Sequence, residues 1–150
     1  RGILSFDLFE QSAPLATGSM VFLSRSGFYD STKCHRAIRD FVLQCGDPTG
    51  SGAGGPGYMF QDELNGQESY PAGTLAMANS GPNTNGSQFF IVSGDGAENL
   101  PPSYTVFGKL LPGQEELLAS INKLGNPDPS ANGVPPIEYV TIKSISVTGD

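Results

Sequence analysis

Short stretches in which hydrophobic and polar residues alternate dominate this chain, and alternation with a period of two predicts half-buried β-strands. Residues 2–10 and residues 137–147 alternate in this way, so we predict a strand near each end of the chain. Residues 74–79 and 87–93 are apolar almost throughout, which is typical of fully buried strands. Residues 105–111 predict a further strand.

A β-hairpin is predicted in the first third of the chain. Residues 33–38 and 41–45 have the composition of two strands, and they are separated only by Arg39 and Asp40. Two strand-like segments joined by so short a connection are typical of a hairpin. We therefore place the turn at Arg39 and Asp40.

Helical spacing of apolar residues occurs twice. Residues 14–28 predict a helix that Thr17 or Ser19 caps at its N-terminus. Residues 114–124 predict a second, amphipathic helix with one apolar stripe. The stripe consists of Leu117, Leu118, Ile121 and Leu124.

The count of elements sets the fold class. About eight short strands and two helices, with 20 Gly and 12 Pro in 150 residues, favour a mainly β protein with many turns. We predict a closed eight-stranded antiparallel barrel capped by the two α-helices. Neither a repeat nor a linker interrupts the sequence, so residues 1–150 form a single predicted domain.

Charge and composition exclude several classes of partner. The formal net charge of −7 argues against nucleic acid and against anionic lipid. No apolar run is long enough to cross a bilayer, and no signal peptide is visible, so we expect any targeting segment to lie upstream of residue 1. The chain has one histidine, His35, and two cysteines, which together are fewer than the four ligands that a structural zinc site needs.

A glycine-rich loop at residues 49–57 contains a GxGxxG pattern. In a dinucleotide site this pattern opens a helix, whose N-terminus then faces the phosphates. Pro56 and Gly57 follow instead, and no helix is predicted there. We therefore predict a loop that borders a shallow groove, with no nucleotide or other cofactor.

Residues 77–91 (MANSGPNTNGSQFFI) join two strand segments through a polar loop rich in amides and glycines. A packed core gains little from such residues. A surface that binds an extended peptide needs amides for the peptide backbone and apolar faces for its side chains. The segment therefore predicts a polypeptide-binding site.

Two parts of the chain resemble the cyclophilin family of peptidyl-prolyl isomerases. The first is residues 34–47 (CHRAIRDFVLQCGD), followed by GAGG at 52–55 and FQDE at 60–63. The second is residues 77–91, followed by VFG at 106–108. Residues 44–50 (QCGDPTG), together with the cysteine before His35, are similar to extracytoplasmic actinobacterial members.

The resemblance implies an eight-stranded barrel with the active site on its outer face. Five positions match catalytic residues of the family: Arg36, Phe41, Gln44, Gln88 and Phe90. Five more match substrate-binding residues: Val42, Ala78, Asn79, Leu100 and Tyr104. Phe6, Phe22 and Phe107 are expected in the core.

Three positions depart from the usual pattern of the family. Val42 replaces a more usual Met, and Tyr104 stands where many members have His, so both keep the proline pocket apolar. Asn99 replaces an aromatic residue, often Trp, and this chain has no Trp. We therefore expect weakened binding of the cyclic peptide cyclosporin A.

The implied activity is cis–trans isomerisation of X-Pro bonds in proline-containing polypeptides during folding, by a monomer without a cofactor. A non-catalytic module that binds proline peptides is the alternative, and retention of Arg36 favours the enzyme. A barrel that binds a small ligand inside is less favoured, because small barrels fill their interiors with side chains.

Cys34 and Cys45 are symmetric about the predicted hairpin turn. Residues directly opposite in an antiparallel pair have Cα atoms about 4.5–5.5 Å apart, which overlaps the range that disulfides accept. We predict a Cys34–Cys45 disulfide and hence an extracytoplasmic location, since such bonds persist in oxidising compartments. A reduced buried pair in a cytoplasmic protein is the alternative.

Overall fold

A computed structural model describes residues 1–149 of the protein. These residues contain two α-helices, α1 (Pro14–Arg25) and α2 (Glu115–Asn122). The eight strands are β1 (Phe6–Leu8), β2 (Thr32–Lys33), β3 (Arg36–Ile38), β4 (Val42–Cys45), β5 (Thr74–Met77), β6 (Phe89–Val92), β7 (Val106–Leu110) and β8 (Thr141–Ile142). Short 3₁₀ turns cover Asp95–Ala97 and Pro129–Ala131.

The strands confirm a mainly β fold with two helices, but their pairing differs from the predicted closed barrel. Six strands form one antiparallel sheet in the order β1-β7-β5-β6-β4-β3, and β2 pairs only with β8 in a second sheet. Among the described residues, the hydrogen-bond ladder does not continue from either edge of the large sheet into the small one.

The six-stranded sheet has two apolar faces because successive side chains point to opposite sides of a strand. Residues on one face meet α1 and α2 and form the interior cluster. Its members are Ala13, Ala16, Met20, Leu23, Tyr29, Cys34, Ala37, Leu43, Cys45, Leu75, Met77, Phe89, Ile91, Phe107, Leu118 and Ile121. The other face carries the outer cluster of Val42, Tyr70, Ala76, Phe90, Val92 and Ala97.

The hairpin prediction was right in kind but wrong by one residue in register. Arg36 pairs with Gln44 and Ile38 with Val42, so the turn holds three residues and centres on Asp40. Asp40 adopts a left-handed backbone with φ 61°, which supplies the sharp reversal of the chain. Cys34 and Cys45 are therefore not directly opposite each other.

The predicted disulfide between Cys34 and Cys45 is nevertheless present. The predicted strand 33–38 is divided into β2 and β3, and Cys34 lies between them with its backbone N–H donated to Val140 O. This break places the Cα atoms of the two cysteines 4.0 Å apart. The bond closes the base of the hairpin.

Two predictions at the surface were wrong. Helix α1 begins at Pro14 without a side-chain cap of its own, and neither Thr17 nor Ser19 caps it. The Glu63 carboxylate instead accepts the N–H groups of the first helical turn. Phe22, expected in the core, points outward from α1 and is 65% exposed, whereas Phe107 is fully buried as predicted.

The last predicted strand, residues 137–147, is reduced to the short β8. Its partner β2 has only two residues, so the pairing ends where the partner ends.

Within residues 1–149, no helix has the length and apolar character needed to cross a membrane.

Candidate active site

One row of side chains crosses four strands on the outer face of the large sheet. Arg36 on β3 pairs with Gln44 on β4, Gln44 with Phe90 on β6, and Phe90 with Ala76 on β5. Cross-strand partners point to the same face of a sheet. Three predicted catalytic residues therefore lie side by side, as a cation, an amide and an aromatic ring.

A chain of hydrogen bonds links the cation to the glycine-rich loop. Arg36 Nη1 donates to Gln44 Oε1 over 3.0 Å, and Gln44 Nε2 donates to Gln88 Oε1 over 2.9 Å. Gln88 Nε2 then donates to the carbonyls of Gly52 and Gly54, at 3.0 and 2.9 Å. Gln88 thus acts on Arg36 through Gln44, without contacting it directly.

Asn132 holds the other side of the guanidinium. Arg36 Nε donates to the Asn132 carbonyl over 3.0 Å, and Nη2 donates to Asn132 Oδ1 over 2.8 Å. A guanidinium has five N–H groups, so these bonds and the one to Gln44 leave two N–H groups without a partner in the described chain. The planar group is fixed in orientation, yet it keeps donors for a ligand.

Arg36 is half-buried at this position. Burial lowers the pKa of its guanidinium below the ordinary value, and the nearby Tyr104 hydroxyl opposes that shift. An arginine pKa starts so high that the group stays charged near neutral pH. The site therefore presents a fixed positive charge at the edge of an apolar surface.

Asp47 holds the glycine-rich loop through hydrogen bonds. Its fully buried carboxylate accepts the N–H and the hydroxyl of Thr49, both at 2.7 Å, and the N–H of Gly52 at 2.6 Å. Burial acts to raise the pKa of Asp47, but the hydrogen bonds from Thr49 and the glycine backbone outweigh it and hold the pKa far below its usual range. The carbonyls that accept from Gln88 are thereby held in place.

The outer cluster forms an apolar surface on the same face of the sheet as Arg36. Residues at its rim are half-buried and pack against it: Phe41, Ala78, Leu100, Tyr104 and Val106. The rings of Phe90 and Tyr104 meet edge to face, with centroids 5.5 Å apart and planes at 86°. Edge-to-face packing of this kind holds both rings in one orientation.

Tyr70 holds Tyr104 in place at this surface, and the sequence analysis missed it. Its hydroxyl donates to the Tyr104 carbonyl over 2.9 Å and accepts the Tyr104 N–H over 3.0 Å. Burial raises the pKa of the Tyr70 phenol, so it remains a neutral donor. No local pattern could indicate this role, because the contact joins loops 34 residues apart.

A groove of about 810 Å³ continues from the two glutamines, between the glycine-rich loop and residues 78–88. Ala78 and Asn79, both predicted to bind substrate, line one wall, and Gly52–Gly57 line the other. The Asn79 amide donates to the Ser103 carbonyl, so its side chain is held while its backbone remains at the groove. This confirms the prediction that the glycine-rich loop borders a groove.

A second cavity of about 540 Å³ lies beyond β7, lined partly by Asp62 and Glu63. Both acids have structural roles: Glu63 caps α1, and Asp62 accepts from the Asn83 backbone and the Asn85 side chain. Asn85 belongs to an N-x-S sequence, but its side chain is fully buried.

The outer face has the features of a site for extended polypeptide: a groove edged by amides and backbone, an apolar surface, and one oriented cation. Across residues 1–149, no group of three or more His, Cys, Asp or Glu side chains could hold a metal ion. Comparison with known proteins then identifies the family. Residues 1–147 match the family described as cyclophilin type peptidyl-prolyl cis-trans isomerase/CLD, and the chain belongs to it.

The relatives agree with this assignment. A Mycobacterium leprae protein named "Probable peptidyl-prolyl cis-trans isomerase B" is 43% identical over 97% of this chain and 53% of its own length. The human "Peptidyl-prolyl cis-trans isomerase-like 1" is 38% identical over 95% of this chain and 86% of its own length. The chain spans about half the length of the mycobacterial relatives it matches.

Solved structures show the same fold. A Cryptosporidium parvum cyclophilin type peptidyl-prolyl cis-trans isomerase superposes with a TM-score of 0.85 at 38% identity, covering 98% of this chain and 91% of the other. The mycobacterial matches fit the resemblance to actinobacterial members.

Proposed function

We propose that this protein catalyses cis–trans isomerisation of X-Pro peptide bonds through the outer-face site. The observation that carries the proposal is the position of Arg36 beside the apolar surface of the outer cluster. Gln44 and Asn132 fix its guanidinium there, and two of its N–H groups have no partner among residues 1–149. One structure of the Cryptosporidium relative was determined in the presence of the dipeptide Ala-Pro. Proline-containing polypeptides are the corresponding substrates here.

The chemistry requires no bond breaking. Amide resonance gives the peptide bond a rotation barrier of about 18–20 kcal/mol, while the cis and trans forms of X-Pro differ by only about 0.5–1 kcal/mol. As the C–N bond twists, a lone pair localises on the prolyl nitrogen, which becomes pyramidal. A donor aimed at that nitrogen stabilises the twisted state more than either planar state, which is the condition for catalysis.

Each part of the site has a role in that rotation. Arg36 donates to the prolyl nitrogen, and its rigid planar fork suits a fixed aim. Phe41, Val42, Phe90, Leu100 and Tyr104 hold the pyrrolidine ring on the apolar pocket. The Asn79 backbone and Gln44 bind the peptide on the other side of the rotating bond, while Gln88 keeps Gln44 in place.

The test is the isomerisation rate of a short proline peptide with wild type and Arg36→Ala. Preorganised donors contribute on the order of 3 kcal/mol, so the variant should lose roughly a hundredfold or more in kcat/KM while its melting temperature stays near that of wild type. Wild-type protein that leaves the peptide's rate unchanged would overturn the proposal.

The alternative, a non-catalytic binding module, predicts a different outcome. A module that only binds would keep peptide affinity in wild type and show no rate enhancement. The oriented guanidinium favours the enzyme, because pyrrolidine binding requires only the apolar pocket.

We infer an extracytoplasmic location from the Cys34–Cys45 disulfide, since disulfides persist in oxidising compartments. A cytoplasmic location is the alternative. Thiol titration of unfolded protein, purified without reductant from its native source, separates the two, because two free thiols per chain would contradict the extracytoplasmic proposal.

We also infer that the two sheets complete one barrel wall. The Cys34 backbone connects β3 to Val140 beside β8, and the Ala37 N–H reaches the Gly133 carbonyl. These contacts extend the edge of the large sheet toward the small one.

We also propose that the protein is a monomer, and analytical ultracentrifugation would test this.

A further inference from the structure

The tip of the β3–β4 hairpin carries Phe41 into the proline pocket, and its backbone is unusual. Asp40, directly before Phe41, has φ 61°. A non-glycine residue is uncommon in this left-handed region and stays there only when its surroundings hold it. What holds Asp40 therefore also sets where Phe41 lies.

Asn122, the last residue of α2, grips Asp40 through two reciprocal hydrogen bonds. The Asp40 backbone N–H donates to Asn122 Oδ1 over 2.8 Å, and Asn122 Nδ2 donates to Asp40 Oδ1 over 2.8 Å. The same Oδ1 accepts the Ser93 hydroxyl over 3.0 Å. One amide side chain thus joins the hairpin tip to the end of β6, although it is 82 residues from Asp40.

The opposite side of the tip is closed by backbone. The Gly96 N–H donates to the Asp40 carbonyl over 2.8 Å, and the Ser93 N–H donates to the Phe41 carbonyl over 2.9 Å. A Cβ added at Gly94 would lie 2.5 Å from the Asp40 backbone, and one at Gly96 would lie 2.7 Å from its carbonyl oxygen. The tip is clamped between the end of α2 and the turn at residues 94–97.

We propose that Asn122 is a positioning residue for isomerisation, which acts on the pocket through Asp40 and Phe41. It does not touch the substrate site itself. Because it binds Asp40 and Ser93 together, it sets the distance between Phe41 and the segment that leads to Leu100. The proposal rests on the proposed isomerase function and adds a residue at the C-terminal end of α2 that positions Phe41.

The structure suggests a reciprocal swap as the test. In Asn122→Asp, one carboxylate oxygen still accepts from Asp40 N–H and Ser93, but the other faces the Asp40 carboxylate and repels it. In the double variant Asp40→Asn with Asn122→Asp, the amide at position 40 donates to the carboxylate at position 122. Asn tolerates the left-handed backbone. The double variant therefore restores all three bonds, with donor and acceptor exchanged only in the bond between the two side chains.

Ser120→Asp is the matched control. It adds the same charge to the last turn of α2, but Ser120 is exposed and bonds only to the Leu117 carbonyl of its own helix. The readouts are kcat and KM for a proline peptide, the melting temperature, and the NMR resonances of the Phe41 ring.

Asn122→Asp should lower kcat/KM roughly tenfold, mostly through KM, since residues of one hydrogen-bond network are energetically coupled. It should also shift the Phe41 ring resonances. The double variant should return both to within about twofold of wild type, and Ser120→Asp should change neither. A folded Asn122→Asp protein with wild-type kinetics, or a double variant that stays impaired, would overturn the proposal.

Two further measurements test the proposal if Asn122→Asp does not fold or if wild type is not an isomerase. If Asn122→Asp does not fold, the same substitution is made with Asp40→Gly, which adopts the backbone freely and removes the repelling carboxylate. The charge at position 122 should then change kcat/KM by less than about twofold relative to Asp40→Gly alone, and a tenfold loss there would contradict the proposal. The Phe41 resonances report positioning even if wild type proves not to be an isomerase, so failure of one proposal is distinguishable from failure of the other.

Discussion

Phe89 and Phe90 are adjacent, of the same type and almost equally buried, at 5% and 6% exposure, yet they serve opposite faces of one sheet. Phe89 belongs to the interior cluster and meets the ring of Tyr29 edge to face at 5.6 Å. Phe90 belongs to the outer cluster and meets Tyr104 in the same way at 5.5 Å. Burial alone therefore does not distinguish a core residue from a site residue.

What differs is the surroundings of each ring. The interior cluster is covered by α1 and α2, so its side chains only pack. Neither α1 nor α2 contributes a residue to the outer cluster in the described structure. Half-buried residues edge it, and Arg36 and Gln44 continue its row of side chains. An apolar surface that is left open beside an oriented cation can bind a ligand, whereas the same surface under a helix stabilises the fold.

The largest expected effect comes from truncating the two rings separately. Phe89→Ala should cost about 3–5 kcal/mol of unfolding free energy, with kcat/KM per folded molecule close to wild type. Phe90→Ala should lower kcat/KM more than tenfold at a temperature where the variant is folded. Denaturant unfolding and the peptide isomerisation rate measure both, and equal activity losses for the two variants would erase the distinction between the faces.

The disulfide provides the next test, since both cysteines belong to the interior cluster. The bond joins residues 11 apart, and closing a loop of that size stabilises a protein by about 3 kcal/mol in the chain-entropy model. The double variant Cys34→Ala with Cys45→Ala should lose about this much in urea unfolding. If the folded double variant lost most of its isomerase activity, the disulfide would be needed for the outer-face site and not only for stability.

Cyclosporin A tests the rim of the outer face. Asn99 is exposed, next to Leu100, and an amide buries far less apolar area than an aromatic ring. Asn99→Trp should tighten inhibition by cyclosporin roughly tenfold, equivalent to about 1.4 kcal/mol, without changing kcat/KM. Equal inhibition constants for wild type and variant would show that residue 99 does not face the bound ring.

The smallest expected effect is on pH dependence. His35 is buried near Gly52, its Nδ1 lacks a partner in the described structure, and burial lowers its pKa despite the opposing charge of Asp47. The unfolded chain then binds a proton at higher pH than the folded one, so stability is complete above the ordinary pKa of about 6.5 and falls as pH decreases below it.

His35→Gln should flatten the stability profile between about pH 7 and pH 5, measured by denaturant unfolding. The decline at still lower pH should persist, because the low pKa of Asp47 stabilises the fold above the ordinary Asp value and that contribution is lost on acidification. A profile unchanged by His35→Gln would show that His35 is not the group that titrates.

The sequence by itself located the longer strands, both helices and many residues of the candidate site, but not Tyr70 or Asn132. Alternation and apolar runs located β5, β6 and β7 within a few residues, because strand periodicity is local. The order of matched residues predicted Arg36, Gln44, Phe90 and their neighbours, and the structure brings them together on one face. The family comparison confirms the class that these residues indicated.

Tertiary structure alone decided the contacts that hold the site in place. Asn132 binds Arg36 from 96 residues away, Glu63 caps α1 from 48, and Asn122 holds Asp40 from 82. Propensity and periodicity act over a few residues, whereas each of these bonds depends on how the sheet places distant loops. The three-residue turn of the hairpin likewise includes Asp40 in a left-handed backbone, which hydrogen bonds from the distant Asn122 and Gly96 hold in place.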